Sequence, residues 1–173
     1  GGRARSIHSC TNQPVRLLRA LRYCARMGFK IEPRTAEWFA LAIDRGLQES
    51  ISPEEAGLEV RQLAREEKPA AILKIWEQHD LLGTIHPQLA RRHPDYDAIQ
   101  RLVRVRDDLV GAGLRPRLLV PFTLALLGRL KAREQRSAMS RMGYRPQEMQ
   151  TILHLDKEAR KIAATLGSRK MAA

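Results

Sequence analysis

Apolar residues recur along this chain at intervals of three and four, the repeat of an α-helix and not the alternation of a strand. From Pro14 to about Gly28 they fall at Leu17, Leu18, Leu21, Cys24 and Ala25, one face of a helix that Gly28 is placed to stop. A second helix is expected to start near Thr35, carry Trp38, Phe39, Leu41 and Ile43, and end at Gly46. "SPEE" at 52–55 is a helix start: Ser52 serves as N-cap, Pro53 lies in the first turn and Glu55 closes a capping box. Leu58, Val60, Leu63 and Ala64 follow as its core positions, and Pro69 opens the next helix with Ile72, Leu73, Ile75 and Trp76, ending near "DLLG" at 80–83. "HP" at 86–87 and "HPD" at 93–95 bracket an expected loop, after which Asp95 can cap a helix running to about residue 110. "GAGLRP" at 111–116 is the clearest break; beyond it the pattern predicts an apolar helix (about 117–130), a basic one (about 131–142), a turn at Gly143 and a last helix from Pro146 to about 166. With no alternating run of strand length, the fold class is all-α, an array of short antiparallel helices without a sheet. No strict internal repeat points to a solenoid.

Charge changes this picture more than composition does. The chain has 173 residues and a net charge of +12, and the excess is unevenly placed. Residues 1–34 hold eight basic residues and one acid, residues 35–88 five basic and ten acidic, and residues 89–173 eighteen basic and eight acidic. Two basic zones flanking an acidic one imply a polyanionic partner met at two places. A membrane surface fits less well, because no basic stretch has a large aromatic insertion face. No apolar run approaches the roughly 20 residues needed to span a bilayer, and no apolar segment follows the first basic residues as in a signal peptide. Two cysteines, Cys10 and Cys24, do not make a disulfide framework, so a reduced, cytoplasmic setting is expected. The sequence begins with Gly1 in place of Met, which suggests a fragment of something longer.

Candidate chemistry is sparse. His79, His86 and His93 are spaced by seven, but Gly83 and Pro87 interrupt the helix that would align them, and no cysteine or paired carboxylate joins them in a zinc site. Asp107 and Asp108 are adjacent and point about 100° apart on a helix, so they do not share a metal readily. P-loop, G-x-G-x-x-G and G-x-S-x-G patterns are absent. Trp38 and Trp76 sit among aliphatics as core residues, and aromatics at 5% cannot make base stacking the main binding mode. "SRMGYRPQEMQTIL" at 140–153 has a helix–turn–helix look, a shape too common in helical proteins to mark a duplex reader. What stands out is a row of arginines: Arg19, Arg22 and Arg26 lie within about 60° of one another on the first helix, on the side opposite its apolar face, with Arg16 at their edge.

Those residues carry a resemblance. "PVRLLRALRYCARMGFKIEPRT" at 14–35 resembles the neck motif of bacterial class II tRNA nucleotidyltransferases, the CCA-adding enzymes and related poly(A) polymerases, through Arg16, Arg19, Ala20, Arg22, Tyr23, Arg26, Phe29, Ile31, Glu32 and Thr35. "ISPEEAGLEVRQLAREEKPAAILKIWEQHDLLGTIHPQL" at 51–89 is similar to the body segment of the same family, while beyond residue 95 the match is generic. The resemblance implies a neck-like lead-in over 1–34, RNA-binding body-like helices over 35–110 and basic tail-like helices over 111–173. It also implies tRNA as partner and a separate nucleotidyltransferase head that supplies the metal-binding carboxylates. ATP, CTP and Mg2+ belong to that full-length enzyme; because the resemblance places the metal-binding carboxylates and the phosphate-binding loop in the head, this chain is expected to hold no cofactor or metal and to be inactive alone.

The implied nucleotide-reading residues are Arg16 and Arg19 with Asn12 and Gln13. Here the sequence departs from the family, which normally has two acids where Asn12 and Gln13 stand. An amide can still accept through its oxygen, but the charge-assisted bond that would orient Arg16 is lost. Implied RNA contacts are Arg22, Arg26, Arg133, Arg136, Arg141, Lys157, Arg160 and Lys161. For the neck arginines, an ion pair with a body acid such as Glu54 or Glu59 competes with a contact to triphosphate or RNA. The competing reading of the whole chain is a degenerate, non-catalytic helical module that binds RNA or a partner protein.

Overall fold

A computed structural model describes residues 13–28 and 32–170, with side chains through residue 165. The elements in order are α1 (Arg16–Met27), α2 (Pro33–Asp44), a 3-10 turn (Leu47–Ser50), α3 (Pro53–Leu63), α4 (Pro69–Gln78), a second 3-10 turn (Leu82–Thr84), α5 (Pro87–Arg92), α6 (Tyr96–Gly111), α7 (Leu119–Leu127), α8 (Ala132–Arg141) and α9 (Pro146–Lys170). Among the described residues there is no strand, and the all-α reading holds.

Local chemistry sets the helix boundaries. Pro33, Pro53, Pro69, Pro87 and Pro146 each open a helix, where a missing N–H costs nothing and the fixed φ is already helical. Ser52 and Glu55 form both halves of the capping box: the Glu55 N–H donates to Ser52 Oγ at 3.2 Å and the Ser52 N–H to Glu55 Oε2 at 3.1 Å. Asp95 Oδ1 accepts from the Ala98 N–H at 3.0 Å and starts α6. Gly28, at φ 66°, turns the chain out of α1 in the left-handed conformation that favours glycine.

The stretch between the two His-Pro signals, expected as a loop, instead forms α5. His86 Nδ1 accepts from the Gln88 N–H at 3.2 Å, Pro87 takes the first helical position, and Leu89 is fully buried. Capping and one buried leucine thus suffice for a helix of six residues.

A single apolar cluster runs from Val15 to Ile152 and includes Leu17, Leu18, Leu21, Phe39, Trp76 and Phe122. Trp76 is fully buried, and Trp38 packs its edge on Phe39 with ring centroids 5.2 Å apart. The helix α1 lies against α3 and α4; α6 lies against α4 and α7; α3 also meets α8, and α9 meets α7 and α8. The α3–α8 approach is close enough to require glycine. A Cβ on Gly57 would lie 2.3 Å from the Met142 carbonyl oxygen and 2.8 Å from its Cα.

One core assignment is corrected. Leu58 was expected inside, yet it is 61% exposed, and Glu59 occupies the inward position instead. Ala56, Glu59, Val60 and Leu63 form the buried stripe of α3, with a carboxylate inside it. That carboxylate is explained by what α1 brings to it.

Candidate nucleic-acid interface

Four arginines rise from α1, and the fold divides them. Arg16, at the first turn, is exposed, and its Nε donates to Gln13 Oε1 at 2.8 Å. Arg19 Nε donates to Glu59 Oε1 at 2.9 Å. Arg22 Nε donates to the other oxygen of Glu59 at 3.1 Å, and Arg22 Nη1 donates to Glu66 Oε1 at 2.7 Å. Arg26 Nε stands 4.0 Å from Glu66 Oε2 at the end of the row. The result is an alternating ladder, Arg19–Glu59–Arg22–Glu66–Arg26, that joins α1 to α3 and to the turn after it.

Burial sets the weight of each rung. Arg22, Glu59 and Glu66 are 5%, 3% and 8% exposed. Burial acts to lower the Arg22 pKa, but the hydrogen bond to Glu66 and the charge and hydrogen bond of Glu59 outweigh it and raise that pKa above its ordinary value. The guanidinium therefore stays charged inside the protein. The row had been expected on the outer side of α1. Arg22 in fact lies only about 40° from Leu18 around the helix axis, so it is buried where α1 meets α3. In this arrangement Arg22 is committed to two carboxylates and has no face open to a phosphate. Arg19 and Arg26 keep partly open guanidinium groups, with side chains 45% and 61% exposed.

Glu66 was not singled out from the sequence, although a signal exists. Glu59 and Glu66 are seven apart, and so are Arg19 and Arg26. Arg106 was also missed. From α6, its Nη1 donates to the Glu66 carbonyl at 2.7 Å and its Nη2 to the Glu67 carbonyl at 3.1 Å, which fixes the α3–α4 turn. Asn12 falls outside the described residues, as do Phe29 and Ile31 of the motif.

The basic residues expected on the tail are exposed but not gathered at one place. Arg133 and Arg136 lie on α8, and Arg136 lines a groove with Met149, Gln150 and Leu153 of α9. Arg141 lines a different cleft with Gln48, Glu49 and Asp80. On α9, Arg160 Nε donates to Asp156 Oδ2 at 2.9 Å and Lys161 Nζ to Glu158 Oε1 at 2.7 Å, while Lys157 makes no ion pair with any described residue. The α8–α9 segment is tied to α3 by Arg61, which stacks 4.2 Å from the centroid of the buried Tyr144 ring and lies 3.9 Å from Glu148 Oε2. Tyr144 in turn shares a 2.7 Å hydrogen bond with Thr123 Oγ1 of α7.

The three histidines do not converge. His79 packs near Phe39, His86 caps α5, and His93 Nδ1 lies 2.5 Å from Glu77 Oε1, whose other oxygen accepts from the Tyr96 hydroxyl. Among the described residues no group of three His, Cys, Asp or Glu side chains could hold a metal, so the donors present do not fit Mg2+. No described helix is long and apolar enough to cross a membrane.

This arrangement of helices is that of CCA-adding enzymes. The Thermotoga maritima CCA-adding enzyme, solved in complex with tRNA, superposes with a TM-score of 0.71 over 94% of this chain and 40% of that one, at 20% identity. A CCA-adding enzyme solved with ATP gives 0.70 over 93% of this chain and 38% of that one, also at 20% identity. In sequence, the chain is similar to the multifunctional CCA proteins. It is 30% identical over 110 residues to that of Chromobacterium violaceum and 34% identical over 96 residues to that of Xanthomonas campestris pv. campestris. Those matches take in 58% and 49% of this chain but 27% and 23% of the relatives, so the chain spans about a quarter of their length. No family model matches it.

Proposed function

We propose that this chain is the tRNA-gripping and nucleotide-reading region of a CCA-adding or A-adding nucleotidyltransferase, working in tRNA 3′-end processing with a catalytic head. The observation that carries the reading is the division of labour along α1. Its middle is locked to the body by the Glu59–Arg22–Glu66 ion pairs, while Arg16, steadied by Gln13, stands exposed at the first turn. Rigid attachment at one end and a free, oriented guanidinium at the other suit a residue that must present donors to a base edge. Likeness over 110 and 96 residues to multifunctional CCA proteins, and in fold to a CCA-adding enzyme solved with tRNA, supports the same assignment.

The phosphoryl-transfer step is assigned to the head, since the described residues gather no carboxylate cluster for two-metal chemistry. ATP and CTP would be substrates of the joined enzyme, and Mg2+ would be held by the head. Here the chain's own part is to hold tRNA and to orient the incoming base through Arg16.

Fluorescence-anisotropy titration tests this reading, with tRNA lacking its CCA end against a duplex DNA of equal charge at several salt concentrations. The expected result is tighter binding of tRNA at matched salt, with a log–log salt slope of about 0.7 to 0.9 per phosphate contact. Equal binding of the two, lost together near physiological salt, would reduce the basic zones to a nonspecific field.

One observation favours a second reading, a degenerate helical module. Gln13 accepts from Arg16 as a neutral amide where the resemblance leads one to expect an acid. Fusion of the chain to a nucleotidyltransferase head separates the two. If Gln13→Asp sharpens nucleotide choice, the reading site is in use but weakened; if the fusion adds nothing to tRNA, the degenerate reading stands.

A further inference from the structure

Between the end of α1 and the α3–α4 turn lies a cleft of about 590 Å3. Its charged lining is Arg22, Arg26, Arg65 and Lys68 against Glu66 and Glu67. Four cations against two carboxylates leave a net charge of +2, and the pairing sharpens the imbalance. Glu66 is taken by Arg22. Arg65 and Lys68 are exposed and pair with no carboxylate among the described residues. Arg26 reaches Glu66 only at 4.0 Å.

The walls of this cleft are held before any ligand arrives. Arg22 fixes the α1 wall to Glu66 from inside, and Arg106 binds the carbonyls of Glu66 and Glu67 from behind, so the turn that presents Arg65 and Lys68 cannot drift. Cations on a fixed frame bind an anion without first having to order their own backbone. The chemistry of the remaining lining chooses which anion. Ala25, Met27, Ala71 and Ile72 supply a small apolar floor and Gln62 a neutral donor and acceptor, and among the described residues no aromatic side chain lines the cleft. These described residues offer the base of a free nucleotide no platform. A sugar-phosphate backbone needs none: its phosphates take the guanidinium and ammonium groups, and its 2′-hydroxyl can use Gln62.

We propose that this cleft seats the backbone of an RNA strand, with Arg26, Arg65 and Lys68 on its phosphates. The proposal rests on the tRNA-binding reading above and locates one of its contacts. The test is a salt titration of wild-type chain and an Arg65→Gln/Lys68→Gln variant, each with CCA-less tRNA and with a short RNA hairpin. Arg45→Gln/Arg115→Gln, which removes the same charge away from the cleft, serves as the control.

Both altered residues are exposed, so melting temperature should not move. The salt slope should fall by about two contacts' worth in the cleft variant, roughly 0.7 to 0.9 each, and by clearly less in the control. Equal falls in the two variants, on both RNAs, would overturn the seat while leaving tRNA preference intact. Loss of tRNA preference over DNA in the wild type would instead sink the functional reading. The hairpin slopes would then decide the seat on their own.

Discussion

Removing Arg22 alone should unfold this protein more effectively than removing any other charge on α1. Arg22→Met takes away two hydrogen bonds, at 3.1 and 2.7 Å, and leaves Glu59 and Glu66, 3% and 8% exposed, facing each other without their shared cation. Breaking a buried ion pair from one side costs about 3–5 kcal/mol; Arg19 still holds one oxygen of Glu59, so the loss falls chiefly on Glu66, left with Arg26 at 4.0 Å. With a urea dependence of about 2 kcal/mol per molar, the unfolding midpoint should fall by roughly 1.5–2.5 M. Far-ultraviolet circular dichroism, which reports helix content, would follow the transition. Arg19→Gln is the internal comparison: its side chain is 45% exposed, and its loss should cost no more than about 1 kcal/mol. The triple change Arg22→Met/Glu59→Gln/Glu66→Gln removes the stranded charges and should recover most of the loss. A midpoint shift for Arg22→Met no larger than that for Arg19→Gln would refute the argument, since it would mean that Glu59 and Glu66 reach water and the ladder is only a surface feature.

Three further outcomes follow from the packing. Gly57→Ala should destabilise the fold by about 1–3 kcal/mol, measured by thermal melting, because the new methyl meets the Met142 backbone at 2.3 Å and α8 must move off α3. Ser52→Ala, which removes one half of the capping box, should cost about 1 kcal/mol in the same assay, and Ser52→Asp should restore most of it. Burial first, and Arg141 second, hold the His86 pKa below its ordinary value of 6.5, and its Nδ1 must be unprotonated to cap α5. The unfolded chain therefore binds a proton more readily, so the stability His86 contributes is present above pH 6.5 and is lost as pH falls below it. His86→Asn should flatten the dependence of melting temperature on pH below about 6.5; an unchanged slope would mean that the ring is protonated without penalty.

The helices were legible in the sequence because their signals are local. Five prolines, the Ser52–Glu55 box, Asp95 and Gly28 act on backbone groups within a few residues, so neighbours in sequence determine where a helix starts or stops. Helix α5 escaped because its cap is a histidine nitrogen, a chemistry that reads in sequence as a loop histidine. The arginine row was legible as a row, and its family resemblance with it. Which arginine faces outward was not. Arg22 and Glu59 look like surface charges in their own helices, and each is buried only because the other helix brings the opposite charge to the same place. The same holds for the cleft at the end of α1, whose Arg65 and Lys68 read as ordinary solvated charges until Arg22 and Arg106 fix the turn that carries them. Sequence by itself determined the all-α character, the helix starts and stops other than those of α5, and the basic first helix, through hydrogen bonds and apolar spacing that act over one or two turns. Tertiary structure alone decided which charges are buried partners and which are left open to a polyanion. That choice depends on electrostatics between residues some forty positions apart, such as Arg22 and Glu66, and no short window of the chain contains both.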